Sequence, residues 1–414
     1  MYIKRNIEDD ILRYTDKPEI VAIMGPRQCG KTTLLDHLFS GLKEAAVFLT
    51  FEDRKILDLF ERDTDAFIEQ YVRPHRYIFI DEFQYARKGG KTLKFIYDTN
   101  PGKKIFITGS SAIDLTVRTL KHLVGRILVF TLHPFNFAEF LSSKGEAALA
   151  EYNENKVLLK DLYGGLKDER SFPCSVELAG YFEEYVIYGG YPRVVLSAGV
   201  EEKREILKNI FNTYFLREVK DLLGLIEDYK MSKLIESLAL QIGNLINYNE
   251  LGSLSGLAYL TLKKYIRFLE KTYICFFSRP FFRNKRTEIL KNPKVFFYDT
   301  GLRNNAANDF RGLGERADSG QLLENAVAMQ IVRQGLTPKY WRNKQGSEVD
   351  FVIDLPDTKQ AALEVKRTLD GADQASRSAR AFVNSYPGIK LSFVYFERGK
   401  LARQEDSFPV YYLG

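Results

Sequence analysis

Gly25, Gly30, Lys31 and Thr32 stand at the spacing G-x-x-x-x-G-K-[ST] inside EIVAIMGPRQCGKTTLLDHLF (19–39). That combination suits the holding of a polyphosphate. The glycines let backbone N–H groups turn inward around phosphate oxygens, and a helix starting at the loop adds its partial positive charge. The whole loop, Gly25, Pro26, Arg27, Gln28, Cys29, Gly30, Lys31, Thr32 and Thr33, is then expected to touch the nucleotide. Lys31 reaches the β- and γ-phosphates of ATP, and the Thr32 hydroxyl ligates Mg²⁺. Cys29 reads as a small inert loop residue rather than a redox switch.

The chemistry needs elements to position it. Ile20 to Met24 is an apolar run ahead of the loop and predicts a buried parallel strand, with an amphipathic helix after it. RYIFIDEFQ (76–84) predicts a second strand ending in Asp81 and Glu82. An acid there holds Mg²⁺ through water, and the adjacent Glu82 activates the attacking water. KKIFITGSSA (103–112) predicts a third strand. Its Ser110 is either a sensor of the γ-phosphate or the hydroxyl of a closing Gly-Ser turn. In LKHLVGRILVF (120–130), Arg126 is a candidate for stabilising phosphoryl charge, in cis or from a neighbouring subunit, or else a surface arginine. An arginine shared in that way would imply a homo-oligomer.

At 414 residues the chain is long for a single core. MYIKRNIEDD lacks an apolar signal core, and no apolar run approaches the ~18 residues of a membrane span. Three widely spaced cysteines fit a reducing cytoplasm, with neither a disulfide framework nor a zinc spacing. Sixty Lys and Arg against 54 Asp and Glu is a mild excess, but RPFFRNKRTEILKNPK (279–294) sets six bases against one acid among aromatics. That segment is a candidate phosphate-binding patch, or a solvated basic loop.

Residues 141–230 read as helical, with a sharp turn at Gly189, Gly190 and Pro192. KLIESLALQIGNLINYNELGSLSGLAYLTLKKYIRFLEKTYIC (233–275) looks like a winged helix, its third helix setting Leu262, Ile266 and Leu269 opposite Lys263, Lys264 and Arg267. Such a helix would face DNA, a protein partner or solvent.

Taken in order, GPRQCGKTT, FIDEFQ, TGSSA, GRI and LHPFNFAEF resemble a prokaryotic family of AAA-like ATPases that carry a C-terminal domain of unknown function. YGGYPRVV (188–195), YFLREVKDL (214–222), NPKVFFYDTGLRN (292–304), LLENAV (322–327) and EVDFVI (348–353) extend the resemblance over nearly the whole chain. From about residue 320 a helix, two strands, a helix and a strand are expected. With Glu324, Asp350 and the Glu364-Val365-Lys366 triplet, that order resembles the PD-(D/E)xK nuclease superfamily. The resemblance implies that Glu324, Asp350 and Glu364 bind Mg²⁺ and that Lys366 polarises the attacking water, with Glu348 outside the pattern. The alternatives are a helix-dipole role for Glu324 in a first turn, and exposed cross-strand ion pairs for the rest.

The expected architecture is an α/β, AAA-like P-loop core (1–140), a helical lid (141–230), a winged helix with its basic extension (231–295) and a nuclease-like α/β domain (296–414). The expected activity is Mg²⁺-dependent ATP hydrolysis on or with DNA. The alternative is a nucleotide-dependent switch whose C-terminal domain docks a protein partner.

Overall fold

The computed structural model describes residues 2–42, 44–87, 89–109, 120–164, 166, 172–212, 228–282, 288, 291–374, 376–399 and 406–414. Two compact bodies form: Met1–Phe135 with Arg267–Ile274, and Asn136–Ile266 with Cys275–Gly414. No described helix is long and apolar enough to cross a membrane.

The first body is α/β, as expected. Its strands are β1 (Ile20–Met24), β2 (Ala46–Thr50), β3 (Tyr77–Asp81), β4 (Lys104–Gly109) and β5 (Ile127–Thr131). They pair in parallel in the order β2-β3-β4-β1-β5. β1, β3 and β4 are buried along their whole length, which is why they read as unbroken apolar runs rather than alternating ones. Alternate side chains feed the two faces: Ile20, Ala22, Ile78, Ile80 and Ile107 on one, Val21, Ile23, Phe79 and Phe106 on the other. Helix α1 (Lys31–Ser40) packs Leu34, Leu35 and Leu38 on the second face.

In the second body, α2 (Val176–Tyr188), α3 (Asp228–Leu240), α4 (Tyr248–Ser255) and, as far as Ile266, α5 (Tyr259–Lys271) precede an antiparallel pair, β6 (Cys275–Ser278) and β7 (Lys294–Phe297). Next come α6 (Thr300–Ala307) and α7 (Ser319–Arg333). A five-stranded sheet follows: β8 (Pro338–Arg342), β9 (Glu348–Asp354), β10 (Gln360–Leu369), β11 (Lys390–Arg398) and β12 (Ser407–Pro409), with α8 (Arg377–Ser385) between β10 and β11. Its order is β12-β11-β10-β9-β8, antiparallel from β8 to β10 and parallel from β10 to β12. Where two strands were expected between the helices, three form, because KYWRNKQGSEVDFVIDL (339–355) gives both β8 and β9. The Asn343 carboxamide accepts the Ser347 N–H at 2.9 Å and closes a turn between β8 and β9.

The motifs YGGYP and YDTGLRN form one buried lock. The Asp299 carboxylate caps α6 by accepting the Leu302 N–H at 2.9 Å, and also accepts the Gly190 N–H at 2.8 Å. Asn304 donates to the Ile187 carbonyl at 2.8 Å, and Arg303 to the Ala239 carbonyl at 2.9 Å, so the ends of α2 and α3 are held by α6. A Cβ on Gly301 would lie 2.0 Å from the Tyr188 carbonyl oxygen, so only glycine permits this approach.

Gly301→Ala should therefore lower the stability of the chain by about 2 kcal/mol or more, since neither backbone can yield cheaply. Gly320→Ala, in α7 with open space around it, should be neutral or stabilising by up to about 1 kcal/mol. Thermal or urea unfolding of the two variants checks the contrast.

Candidate functional site

The loop between β1 and α1 is shaped from beneath. A Cβ on Gly25 would lie 2.0 Å from the Leu132 carbonyl oxygen, so the chain can pass there only as glycine. Arg5 donates to the Cys29 carbonyl at 2.9 Å and to the His133 carbonyl at 2.6 Å, fixing the loop's far side. Cys29 is buried, its thiol 3.3 Å from the Leu132 carbonyl, and burial pushes its pKa up. A thiol held protonated is a poor redox centre, in keeping with the inert role expected of it. Lys31 is buried and donates to the carbonyls of Gly25 (3.0 Å) and Pro26 (2.8 Å). The first-turn N–H groups of α1 have no intrahelical acceptor by geometry, and its N-cap Gly30 brings no side chain to satisfy them.

β4 lies between β1 and β3, which places Asp81 and Thr108 side by side at the C-terminal ends of the strands, where open α/β sheets bind ligands, with Thr32 of α1 against them. The Thr32 hydroxyl donates to Asp81 Oδ2 at 2.8 Å. The Thr108 hydroxyl donates to Asp81 Oδ1 and accepts the Glu82 N–H at 3.1 Å. Glu82 itself adopts φ 54°, ψ 43°, a left-handed conformation that costs a non-glycine residue ~1–3 kcal/mol and that the Thr108 bond helps to hold. Its carboxylate accepts from the Gln84 side chain. Thr108 was not singled out from sequence; it sits two residues before Ser110, which lies outside the described residues.

Arg126 is elsewhere. Its carbonyl accepts the Ile20 N–H, so it stands at the N-terminal ends of β1 and β5, while the loop follows Met24 at the other end. Five strand residues separate the two edges by about 16 Å. Asp98 holds its guanidinium at 2.7 Å. This corrects the cis role expected of Arg126; paired with Asp98 it fits the surface-arginine alternative, and the one functional role its place allows is toward a neighbouring subunit.

A second constellation gathers in the other body. β9 and β10 pair Phe351 with Leu363, which carries Asp350 opposite Glu364. Asp350 Oδ2 accepts the Val365 N–H at 2.8 Å, and Lys366 donates to Glu364 at 2.9 Å. Glu324 comes from the second turn of α7, not the first, beyond useful reach of the helix dipole. Asp350 is buried and Glu364 nearly so, which overturns the exposed ion-pair alternative.

The cluster's second ammonium group came unforeseen. Lys294, counted from sequence in a basic surface patch, is 4% exposed. Its ammonium lies 3.6 Å from Glu324, 4.0 Å from Asp350, and in contact with Glu348. Four carboxylates thus face the ammonium groups of Lys294 and Lys366, with the exposed Arg342 guanidinium 3.7 Å from Glu348, and the cluster keeps a net negative charge when all are ionised. Burial, followed by mutual repulsion with Asp350, raises Glu324 well above the usual carboxylate range and Glu364 to about 8; burial also raises Asp350. Glu324 Oε2 and Glu364 Oε2 are buried without a hydrogen-bond donor. In charge and orphaned oxygens the cluster fits a divalent cation. Among the described residues, however, no three acidic, His or Cys side chains close on a common point as ligands.

Of the expected DNA-facing bases, Arg283, Lys285 and Arg286 lie outside the described residues. Lys263 lies on α5 with its ammonium 4.5 Å from the Tyr259 ring centroid, and Lys264 is exposed.

Residues 17–141 match a family model described as an AAA domain. Residues 179–313 and 319–413 match two domains of unknown function, DUF8612 and DUF4143. An uncharacterized protein of Methanocaldococcus jannaschii is 24% identical over 406 residues, covering 95% of this chain and 83% of that one. An uncharacterized protein of Haemophilus influenzae is 24% identical over 437 residues, covering 100% and 98%. Among solved structures, Thermotoga maritima RuvB is similar at a TM-score of 0.33 and 14% identity, covering 67% of this chain and 88% of that one. The Pif1 helicase of Candida albicans is similar at 0.26 and 12%, covering 45% and 54%. By the family match, residues 17–141 form an AAA-type domain, and the loop between β1 and α1 carries its G-x-x-x-x-G-K-[ST] spacing.

Thr108→Val should leave Asp81 short of one donor and free the Glu82 backbone, lowering stability by about 1–3 kcal/mol and slowing nucleotide turnover. A Thr108→Val protein with unchanged melting temperature and turnover would contradict the network. For the acidic cluster the sign follows from Glu364. Its folded pKa is raised from 4.5 to about 8, so its ionisation opposes folding increasingly as pH rises through that window. In EDTA, Glu364→Gln should match wild type near pH 4.5 and exceed it increasingly up to pH 8, by as much as ~5 kcal/mol, read from paired unfolding curves.

Proposed function

We propose that the chain is a Mg²⁺-dependent ATP hydrolase whose second body acts on DNA. The observation that carries the first half is the hydrogen-bonded set Thr32–Asp81–Thr108–Glu82 beside a phosphate-binding loop. Mg²⁺, when bound, would neutralise charge on the β- and γ-phosphates. Thr32 and Asp81 are the residues to hold it, and their present 2.8 Å bond keeps both oxygens at one point. Lys31 exchanges its two carbonyl acceptors for phosphate oxygens. Glu82, presented by its strained backbone, takes the proton of the attacking water.

For the second body, the helix-strand-strand-strand-helix-strand order with its neighbouring buried acids supports a PD-(D/E)xK-like domain, and α3, α4, α5 with the β6–β7 pair support a winged helix. Glu324, Asp350 and Glu364 would hold a divalent cation there, with Lys366 beside the phosphate under attack. Lys294 must give way for that cation to enter. That position of Lys294 also favours a second reading, in which the cluster is neutralised internally and the domain is a nucleotide-governed docking module without cleavage.

Glu82→Gln should retain ATP binding while hydrolysis falls about 100-fold or more, as for loss of a general base. Lys31→Ala should weaken binding itself; full turnover by Glu82→Gln would remove this acid from the mechanism. On DNA with Mg²⁺ or Mn²⁺, cleavage should vanish in Glu324→Ala, Asp350→Ala and Glu364→Ala alike while ATP hydrolysis continues. Wild-type protein that never cuts would decide for the docking module.

A further inference from the structure

Alongside the acidic cluster, the second body holds a cavity of about 750 Å³. Three cations line it, Lys291, Arg342 and Lys344, and among the described lining residues there is no acid. In a chain whose bases exceed its acids by only six, that is a local concentration of charge. Lys291 and Lys344 are exposed, and among the described residues neither makes an ion pair. Solvent-facing lysines around a concavity, with no acid to answer them, suit an anion.

The walls narrow the choice of anion. Phe282 and Tyr386 are half-buried at the cavity. Tyr386 is fixed by three other rings: Phe281 at 5.2 Å, Phe382 at 5.4 Å and Trp341 at 6.4 Å, the last perpendicular to it. An aromatic side chain immobilised in this way, beside lysines, is what an unpaired base and its phosphate require: a π surface and a cation. Bases inside a duplex offer only their edges to a protein, so the aromatic wall would be wasted on one.

The cavity also leads somewhere. Arg342 on β8 faces Glu348 on β9 in register, its guanidinium 3.7 Å from the carboxylate, and Glu348 in turn contacts Lys294 inside the acidic cluster. A strand lying in the cavity would therefore pass its next phosphodiester over Arg342 toward Glu324, Asp350 and Glu364.

We propose that this cavity is the binding groove for single-stranded nucleic acid, with Lys291, Arg342 and Lys344 on its phosphates and Tyr386 stacked on a base. The inference deepens the DNA half of the proposed function and rests on it.

The test is the fluorescence anisotropy of labelled (dT)20 with the full chain over a range of salt. Exposed Lys291 and Lys344 can be replaced without disturbing packing. Lys291→Ala/Lys344→Ala should weaken binding about 10-fold or more and flatten the log–log salt slope by about 1.4, at ~0.7 per lost phosphate contact. Tyr386→Leu, checked for an unchanged melting profile, should weaken binding with the slope unaltered. ATP hydrolysis without DNA should stay at the wild-type rate in all variants. The groove is ruled out if the double-lysine variant binds (dT)20 as wild type does, or if unlabelled duplex or dTMP displaces (dT)20 more readily than the unlabelled oligonucleotide. Loss of binding in Lys263→Ala/Lys264→Ala alone would move the DNA site to α5, sinking the groove but not the DNA reading. A wild-type chain that binds no nucleic acid would sink both.

Discussion

A carboxylate removed from water needs hydrogen bonds or an opposite charge, and three parts of this chain are built around that requirement. Asp81 is buried at the end of a parallel strand and is satisfied by two threonine hydroxyls from different elements. Those bonds tie α1 and β4 to β3, so the requirement of one acid sets the relative positions of loop, strand end and Glu82. The nucleotide-site geometry follows from it.

Asp299 solves the same problem with backbone amides. Burial raises its pKa, while the N–H groups of Gly190 and Leu302 favour its charge. Gly189 has to be glycine because a Cβ there would lie 2.2 Å from the carboxylate oxygen. YGGYP and DTGLRN, more than a hundred residues apart, are thus two halves of one structural device. Their polar and glycine content reflects packing between helix ends rather than catalysis.

The third solution is incomplete. Around Glu324, Glu348, Asp350 and Glu364 the acids outnumber the cations, and burial, with repulsion among the acids behind it, raises the pKa values of Glu324, Asp350 and Glu364. Structural ion networks normally close their accounts of charge and hydrogen bonds; two orphaned oxygens mark this one as waiting on a proton, a cation or a substrate group. The adjoining basic cavity has the opposite imbalance, and the proposed groove rests on that contrast.

The local features were legible in the sequence. Gly25 through Thr33, the apolar runs at β1, β3 and β4, and Asp81-Glu82 at a strand end each depend on neighbours within a few residues, so composition and spacing expose them. That Glu324 shares a charged neighbourhood with Asp350 and Glu364 was legible through motif order, although the three do not close on one point as ligands, and the Asp350–Glu364 pairing was legible through a hairpin's period of two. What could not be read was anything decided by which strand lies beside which. β4 enters between β1 and β3, and only that insertion brings Thr108 onto Asp81. Parallel pairing of β1 with β5 sends Arg126 to the edge away from the loop. Lys294 looked like one more base in a basic run, yet the pairing of β7 with β6 turns it inward among acids contributed from residues 324 to 350. Spacing along the chain fixes what one segment can present. Long-range strand order fixes which charges must share a buried volume, and that is settled by packing of the whole body.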